Sequence, residues 1–494
     1  MESNKKSYQS ILKATSLFGG VQVFNIVIQI IKSKIIAVLL GPAGMGIAGL
    51  FLVTTNFIAG LTNFGLGTSG VRDVAEASKS EDLSEMNKIV TVLRKIVWFT
   101  GFLGAIITML LSKYLSQLTF GNDDYTLAFV WLSITLLFNQ LTVGQLVVLQ
   151  GLRRLKYLAK ANFLGNLLGL LIAVPLYYFF RIEAIVPAII VTSLVNLFFS
   201  TYFSKKLKIR SIELNFKKTV NEGKEMMKFG FFISISGIIT LGVSYIVRIF
   251  ISNIGGVEQV GLYTAGFAII NTYVGLIFTA MGTDYYPRLA SVSLDNIECT
   301  KTINQQTEIA LLIISPIILA FLVFIKFFIL IIYSTKFITI DVMIYWAAIG
   351  MVFKTIGWGI GFLILAKGNN KLFFWNELIT NIQMLILNIC GYYFLGLKGL
   401  GISFMISFLI YLIQVYFICK IKYMYKLSFE VKKIFSIQLF LALLCLSIVL
   451  TIEGNIKFFL GTILIIISTL FSIKELDNRI GLIAMAKSFL KKKA

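Results

Sequence analysis

The chain has 494 residues, of which 57% are hydrophobic and only 14% are charged. A soluble domain carries about 25% charged residues, so this composition excludes an ordinary water-soluble enzyme and favours a membrane protein. The formal charge of +22 would suggest nucleic-acid binding in a soluble protein. Here the lysines lie in short connections between apolar segments, where they indicate membrane topology and an anionic membrane face. We therefore expect no nucleic-acid partner.

Apolar runs long enough to cross a hydrocarbon core of about 30 Å follow one another along the whole chain. They predict an all-α polytopic membrane protein with about 14 transmembrane helices, although 12 would also fit the pattern. The predicted spans are 15–39, 43–68, 92–117, 125–150, 157–180, 183–204, 228–253, 260–287, 307–333, 341–366, 372–395, 399–421, 433–452 and 455–473. Most of the 45 lysines and arginines fall in every second connection, which predicts that both termini are cytoplasmic.

The longest basic connection and an internal repeat predict how the chain is divided. A shift of 215 residues aligns GPAGMGIAGLFLVTTNFIAGL with GVEQVGLYTAGFAIINTYVGL, so that Gly41 meets Gly256, Gly46 meets Gly261 and Asn56 meets Asn271. Six spans shifted onto six keep their orientation, which predicts two six-helix bundles related by pseudo-two-fold symmetry. The predicted parts are an N-terminal bundle (1–206), a cytoplasmic interfacial linker (207–227), a C-terminal bundle (228–425), and two extra helices with a basic cytoplasmic tail (426–494).

Among the cations within predicted spans, Lys32, Lys34, Arg248 and Lys354 are the candidates for substrate binding. A charge in the hydrocarbon region is costly unless it faces a wet cavity or a partner. These residues therefore predict a cationic cavity that binds an anionic group. Lys354 is the most informative because it lies near the middle of its span. For the others, snorkelling of the side chain to the outer headgroups is the alternative.

Uncharged polar residues recur on the apolar spans. Those expected to line the cavity are Gln22, Asn25, Gln29, Asn56 and Asn271, and further ones are Asn63, Asn139, Gln140, Gln145, Asn162, Asn166 and Asn381. A polar stripe suits a hydrated lumen able to pass a sugar chain. Hydrogen bonding between helices explains the same residues equally well, and the sequence leaves both interpretations open.

Acidic residues within the spans are few. The candidates for ion coupling or gating are Asp284, Glu308, Glu377, Arg72 and Asp73. Each acid of the later spans could instead form an ion pair with a base at the inner face, namely Arg288, Lys301 or Lys371. Arg72 and Asp73 are expected to form a local gate or a topology pair.

Motifs of catalysis are missing from the sequence. There is no histidine, no Walker loop, and no GxSxG, HExxH or metal-spaced cysteine pattern. We therefore expect no catalytic residue, no metal site and no cofactor. An ion gradient would drive such a protein, with H+ or Na+ as the coupling ion.

Four stretches resemble one known family. KSKIIAVLLGPAGMGIAGLF, FGNDDY, QGLRRLKYLAKAN and KFITIDVMIYWAAIGMVFKTIGWGIGFLILAKGNNKLFFWNEL are similar to bacterial Wzx-type O-antigen translocases and the lipid III flippase. The resemblance covers roughly 10–425, so it leaves the role of the last two helices open. It implies the multidrug/oligosaccharidyl-lipid/polysaccharide exporter (MOP) superfamily, two six-span bundles around a cavity, and an inner-membrane location. Lys354 falls where the family also has a lysine.

The resemblance implies a flippase that moves undecaprenyl-pyrophosphate-linked O-antigen or a related repeat unit from the cytoplasmic to the periplasmic leaflet by alternating access. The partners it implies are this lipid-linked oligosaccharide, membrane lipid, a polysaccharide polymerase and a chain-length regulator. Two alternatives stay open. A multidrug exporter of the same superfamily would need acids in the cavity for its usual cationic substrates, and a scaffold of a polysaccharide assembly complex would tolerate loss of Lys354.

Overall fold

The computed structural model describes residues 2–78 and 83–481, which contain helices and connections but no β-strand. Within these ranges, the side chains of 2–27, 29, 83, 216, 217, 273, 276, 283 and 480 lie outside the description. The first helices are α1 (Glu2–Thr62), α2 (Leu66–Ala77), α3 (Leu83–Leu110), α4 (Ser112–Phe120), α5 (Thr126–Gly151), α6 (Leu155–Phe180) and α7 (Ile185–Lys205). The later ones are α8 (Phe216–Phe267), α9 (Leu276–Ser291), α10 (Asn296–Ile332), α11 (Asp341–Ala366), α12 (Asn370–Tyr423), α13 (Phe429–Thr451) and α14 (Ile456–Ile480).

The predicted all-α fold is confirmed for the described residues, since every predicted apolar span lies on one helix or on consecutive helices. Ten helical stretches in these residues are long and apolar enough to cross a membrane. Three of them, Leu155–Lys205, Lys218–Ser291 and Asn370–Tyr423, have 51, 74 and 54 residues. A crossing needs only about 20 residues, and each of the three contains two predicted spans. The count of 14 crossings therefore stays a prediction.

Glycine elbows replace three of the short connections expected between spans, and two of them, Gly41 and Gly256, lie at positions that the repeat aligns. Within α1, Gly41 has φ 68° and ψ −169°, and within α8, Gly256 has φ 80° and ψ 172°. Only glycine adopts this conformation without strain. The two glycines were aligned by the internal repeat, so the aligned positions share a rare backbone geometry. The pseudo-two-fold relation of the two halves stays a prediction.

The elbows at Gly41 and Gly256 lie in one compact unit, residues 31–262. Beyond them the backbones approach so closely that a Cβ on Gly46 would lie 1.9 Å from the carbonyl oxygen of Val257. A Cβ on Gly261 would lie 1.9 Å from the carbonyl oxygen of Pro42. The second glycine pair of the repeat therefore permits a direct crossing of α1 and α8.

Residues 207–215, the start of the predicted interfacial linker, pack on α3 within the same unit. The ammonium of Lys95 donates to the carbonyl of Leu214, and the amide of Ile212 donates to the Thr91 hydroxyl at 3.2 Å. Lys88 and Glu222 form an ion pair at 2.5 Å. The connection is thus fastened to one helix. The predicted boundaries at 206, 227 and 425 stay predictions.

The second compact unit comprises residues 1–30 and 263–494. Its described core is centred on α10 and α11, which contribute many of its fully buried apolar side chains. Glycines let α12 lie directly on α11, because a Cβ on Gly357 would lie 2.9 Å from the Tyr411 ring. This close approach fixes the aromatic side chains of α12 around the middle of α11.

Candidate functional site

A polar pocket of about 380 Å³ lies in the unit 31–262, among α1, α5, α6 and α7. We call it the amide pocket, because seven of its twelve lining residues carry carboxamides and none carries a charge. It is lined by Thr55, Asn56, Ala59, Asn63, Leu136, Asn139, Gln140, Thr142, Val143, Asn162, Asn166 and Asn196. Six of the seven carboxamides are among the polar residues singled out in the sequence, and Asn196 is not.

Residue spacing on α6 and a glycine on the same helix bring three of these amides to one wall of the pocket. Asn162 and Asn166 are four residues apart, so they lie on one face of α6. Gly165 lies beside them, and a Cβ at this position would be 2.2 Å from the Oδ1 atom of Asn196. The absence of a side chain at Gly165 thus lets α7 bring Asn196 to the wall of the pocket.

Some polar groups of the pocket are occupied by bonds within the protein. The Thr55 and Thr142 hydroxyls each donate to a carbonyl one turn earlier at 2.8 Å. Asn63 accepts from the Gly65 amide at 2.8 Å, and Gln140 donates to the Thr100 hydroxyl of α3 at 2.8 Å. Bonding between helices, one of the two interpretations left open above, therefore describes Gln140.

The other five carboxamides differ from these. Among the residues that the structure describes, no intramolecular hydrogen bond involves the side chains of Asn56, Asn139, Asn162, Asn166 and Asn196. Four of the five are exposed to the pocket and Asn196 is half-buried. Their donors and acceptors are therefore available to water or to a ligand.

Lys354 lies in the second unit, in an aromatic cage. Its Nζ atom is 5.0 Å from the ring centroid of Phe408, 5.6 Å from that of Phe278 and 5.9 Å from that of Phe404. Ring faces attract a cation at such distances. The ammonium also lies 3.4 Å from the Oδ1 atom of Asn271. No carboxylate of the described residues forms an ion pair with Lys354.

Asn271 was aligned with Asn56 by the internal repeat. It lies in a π-helical turn at Ala268–Val274, and such turns are frequent at functional sites. In their own units, Asn56 lines the amide pocket and Asn271 contacts the caged lysine. The two predicted cavity residues therefore both lie at candidate ligand positions.

The other predicted cations lie in the unit 31–262. On α1, Lys32 is exposed and Lys34 is half-buried. Arg248 on α8 donates to the Ser244 carbonyl at 3.1 Å and to the Ser244 hydroxyl. The predicted cavity residues Gln22, Asn25 and Gln29 lie outside the described side chains. The roles of all these residues stay predictions.

The predicted gate pair and the acids Asp284 and Glu377 differ in whether they form ion pairs. Arg72 and Asp73 form an ion pair at 2.7 Å, and the guanidinium lies 3.7 Å from the Phe229 ring centroid. Asp284 lies 3.8 Å from the Arg288 guanidinium, the neighbour expected in the ion-pair alternative. Glu377 is half-buried, and within the described residues it forms no ion pair with Lys371.

Glu308 has a different partner from those expected. It forms a 2.7 Å ion pair with Arg479 of α14, which lies in the predicted C-terminal part 426–494. Arg479 also contacts Glu475 and lies 3.6 Å from Glu430, and Lys433 pairs with Glu475 at 3.4 Å. We call these five residues the ionic cluster. It joins α10, α13 and α14.

A hydrogen-bonded loop extends the ionic cluster, since the Ser428 hydroxyl donates to the Glu308 carboxylate at 3.5 Å. The Tyr425 hydroxyl donates to the Asn304 Oδ1 atom at 3.0 Å, and the Asn304 amide donates to the Lys426 carbonyl at 3.1 Å. Burial raises the pKa of Tyr425 well above its ordinary value, so the hydroxyl keeps its proton and remains a donor.

Among the side chains that the structure describes, no group of three or more cysteines, aspartates or glutamates is placed to hold a metal ion.

A match to a known protein family covers residues 35–341. The family is described as polysaccharide biosynthesis protein. The match includes the amide pocket and more than half of the chain. The chain belongs to this polysaccharide biosynthesis protein family.

Two relatives of this chain have names that match the resemblance predicted from the sequence. The putative O-antigen transporter of Shigella flexneri is 24% identical over 289 residues, which are 57% of this chain and 66% of the relative, just under two thirds. The lipid III flippase of Escherichia coli K12 is 22% identical over 421 residues, which are 81% of this chain and 96% of the relative. The resemblance inferred from the sequence is confirmed.

Solved structures with similar folds include a lipid flippase and a multidrug transporter. The lipid II flippase MurJ in an inward closed conformation has a TM-score of 0.68 at 14% identity, covering 94% of this chain and 99% of MurJ. An inward-facing MATE family transporter of the MOP superfamily has a TM-score of 0.66 at 14% identity, covering 87% and 99%. These likenesses show the MOP-type fold. The ten apolar stretches indicate a multi-pass membrane protein.

Proposed function

We propose that this protein is a flippase for undecaprenyl-pyrophosphate-linked O-antigen or related repeat units. It would move them from the cytoplasmic to the periplasmic leaflet. The observation that carries the proposal is Lys354, a cation on a transmembrane helix that has no carboxylate partner among the described residues. The names of the two relatives support the substrate class.

Lys354 suits a pyrophosphate group for a physical reason. The three ring faces hold the ammonium in place but supply no countercharge, so an entering anion gains a charge-assisted hydrogen bond. Asn271 could add a neutral hydrogen bond beside it. Lys32, Lys34 and Arg248 are the further cations that we propose for binding the anionic substrate.

Transport would proceed by alternating access in a chain of 14 spans with both termini cytoplasmic. The membrane potential or a gradient of H+ or Na+ would reset the protein. Asp284 and Glu377 are the better candidates for coupling, because Glu308 is already held in the ionic cluster. A polymerase and a chain-length regulator would be the partners that receive the flipped unit. No catalytic residue and no cofactor form part of the proposal.

The test is the leaflet location of a labelled lipid-linked sugar. Cells that lack this protein and any redundant flippase should keep the labelled unit in the cytoplasmic leaflet. The wild-type chain should restore outer-leaflet appearance, and Lys354→Gln should restore it at least about tenfold more slowly. Outer-leaflet appearance at the normal rate in cells without the protein would contradict the proposal.

The two alternatives predict other outcomes. A multidrug exporter of cationic compounds would need carboxylates in its binding site, whereas none lines the amide pocket or pairs with Lys354 among the described residues. A scaffold protein would work unchanged after Lys354→Gln. The leaflet assay with this variant therefore separates the flippase from a scaffold, and a drug-efflux assay separates it from an exporter.

A further inference from the structure

Five asparagines in the amide pocket point unbonded groups at the same 380 Å³ of space. We propose that this pocket is a recognition site for an uncharged sugar unit of the transported glycan. The inference rests on the proposed function and deepens it. It assigns glycan selectivity to the unit 31–262 and leaves the pyrophosphate to Lys354.

The chemistry of the wall matches sugar hydroxyls. Each carboxamide offers two donors and one acceptor oxygen, and each sugar hydroxyl both donates and accepts. Four separate helices supply the five free amides, so their groups can meet hydroxyls that point in different directions around one ring. Apolar contacts from Ala59, Leu136 and Val143 complete the lining and can receive the C–H faces of the ring.

The same wall disfavours acidic sugars. An ionised carboxylate that leaves water needs a cation or several strong donors to compensate for its lost hydration. No lysine or arginine lines the amide pocket. A uronic acid would therefore be bound less well than a neutral sugar of the same size.

The volume limits how much of the glycan the pocket recognises. Small-molecule sites usually measure about 300–1,000 Å³, so 380 Å³ lies near the lower end. This suits one or two sugar rings rather than a whole repeat unit. The pocket would thus recognise a local feature of the glycan and tolerate differences elsewhere in the repeat.

Binding to the purified full-length protein in detergent tests the inference. The probes are maltotriose as a neutral trisaccharide, trigalacturonate as an acidic one, and inorganic pyrophosphate. The double variant Asn162→Leu/Asn166→Leu removes two amides from one face of α6. The nearly isosteric Asn162→Asp/Asn166→Asp replaces the donors with acceptors and guards against misfolding of the first variant. Gln145→Leu is the matched control, because Gln145 lies on α5 but does not line the pocket.

Wild-type protein should bind maltotriose more tightly than trigalacturonate. Both double variants should lose maltotriose affinity by about tenfold or more, as expected for the loss of a few hydrogen bonds, and should keep their affinity for pyrophosphate. The control should keep its affinity for all three probes. Undetectable maltotriose binding by the wild type, equal maltotriose affinity in the variants, or tighter binding of trigalacturonate would each overturn the inference.

The leaflet assay distinguishes failure of this inference from failure of the proposed function. If the wild type flips the labelled lipid-linked sugar but maltotriose binding is independent of the amides, the flippase stands and the pocket assignment falls. If maltotriose binding depends on the amides but no flipping occurs, the recognition site stands and the flippase falls.

Discussion

The amide pocket and the ionic cluster use polar side chains in opposite ways. In the pocket, five asparagines have no hydrogen bond within the described protein and face open space. In the ionic cluster, each of the five charged residues contacts another, and the central pair of Arg479 and Glu308 is about 10% and 7% exposed. One region offers its polar groups to a ligand, and the other uses them to join helices.

This difference illustrates two roles that a polar residue can have on a transmembrane helix, namely joining helices and binding a ligand. A bonded group should matter for stability, because its loss leaves a buried partner without compensation. A group without a partner should matter for binding and little for stability. Lys354 is the instructive intermediate, since it carries a charge, as the cluster residues do, and has no countercharge.

Arg479→Ala should have the largest effect on stability. It would leave the buried carboxylates of Glu308 and Glu475 without their main cation, and breaking a buried ion pair in this way costs about 3–5 kcal/mol. Thermal unfolding of the purified protein in detergent would measure the loss. Lys433→Ala is the matched control, because this lysine is 43% exposed and such pairs contribute less than about 1 kcal/mol. Equal destabilisation by both variants would show that the cluster does not hold the helices.

Lys354→Gln should lower transport without lowering stability. Loss of a charge-assisted hydrogen bond to an anion costs about 1.5–3 kcal/mol, or about 10- to 100-fold in transport rate. The free energy of unfolding should stay constant or rise, because the variant removes a cation that lacks a countercharge. Rates come from the leaflet assay and stability comes from unfolding in detergent.

Lys326→Gln serves as the control for this prediction. Lys326 also lies on a predicted span, but it is 47% exposed and lies 3.5 Å from a carboxylate oxygen of Asp341. The variant should transport at nearly the wild-type rate. A Lys354→Gln protein that unfolds more easily yet transports normally would place Lys354 with the ionic cluster instead.

The fold could be predicted well from the sequence where apolarity and helicity coincide. The predicted span 341–366 has the same bounds as α11. The prediction for α10 began at 307, whereas the helix begins at Asn296, because Asp295 caps it by accepting from the Ile297 and Glu298 amides. Hydropathy detects the part of a helix that lipid can surround, and it misses polar turns that a cap and tertiary contacts stabilise.

Most residues of the candidate site could be predicted individually, but their meeting in one pocket could not. Asn56, Asn139, Asn162 and Asn166 stood out because amides are costly on apolar helices. Their convergence depends on the packing of separate helices, which periodicity along one helix cannot report. Asn196 was missed because it is a single amide in an apolar run. The ion-pairing role of Arg479 was missed because Arg479 is one base among many in a basic tail.

Gly46→Ala measures how much stability depends on a close backbone contact that involves no polar side chain. The new Cβ would lie 1.9 Å from the Val257 carbonyl oxygen, and a backbone atom cannot rotate away. Such overpacking costs about 1–3 kcal/mol. Gly237→Ala on α8 is the control, since no atom lies within 4 Å of its Cβ position and alanine favours a helix by up to about 1 kcal/mol. If both variants are equally stable, the crossing of α1 and α8 is looser than its geometry indicates.

Gly165→Ala should have the smallest effect and should sharpen the comparison most, because it moves one amide without removing any. Its Cβ would lie 2.2 Å from the Asn196 Oδ1 atom but 3.3 Å from the Asn196 Cα, so the amide can rotate while the backbone stays in place. The cost of a strained rotamer, about 0.5–1.5 kcal/mol, is offset by the higher helix propensity of alanine. Maltotriose affinity should fall about two- to threefold, which is less than 1 kcal/mol, at nearly unchanged stability.

Gly169→Ala is the matched control. Gly169 also packs α6 against α7, at Thr192, but it lies outside the pocket. Equal loss of affinity in both variants would mean that helix spacing, rather than the position of Asn196, governs the pocket.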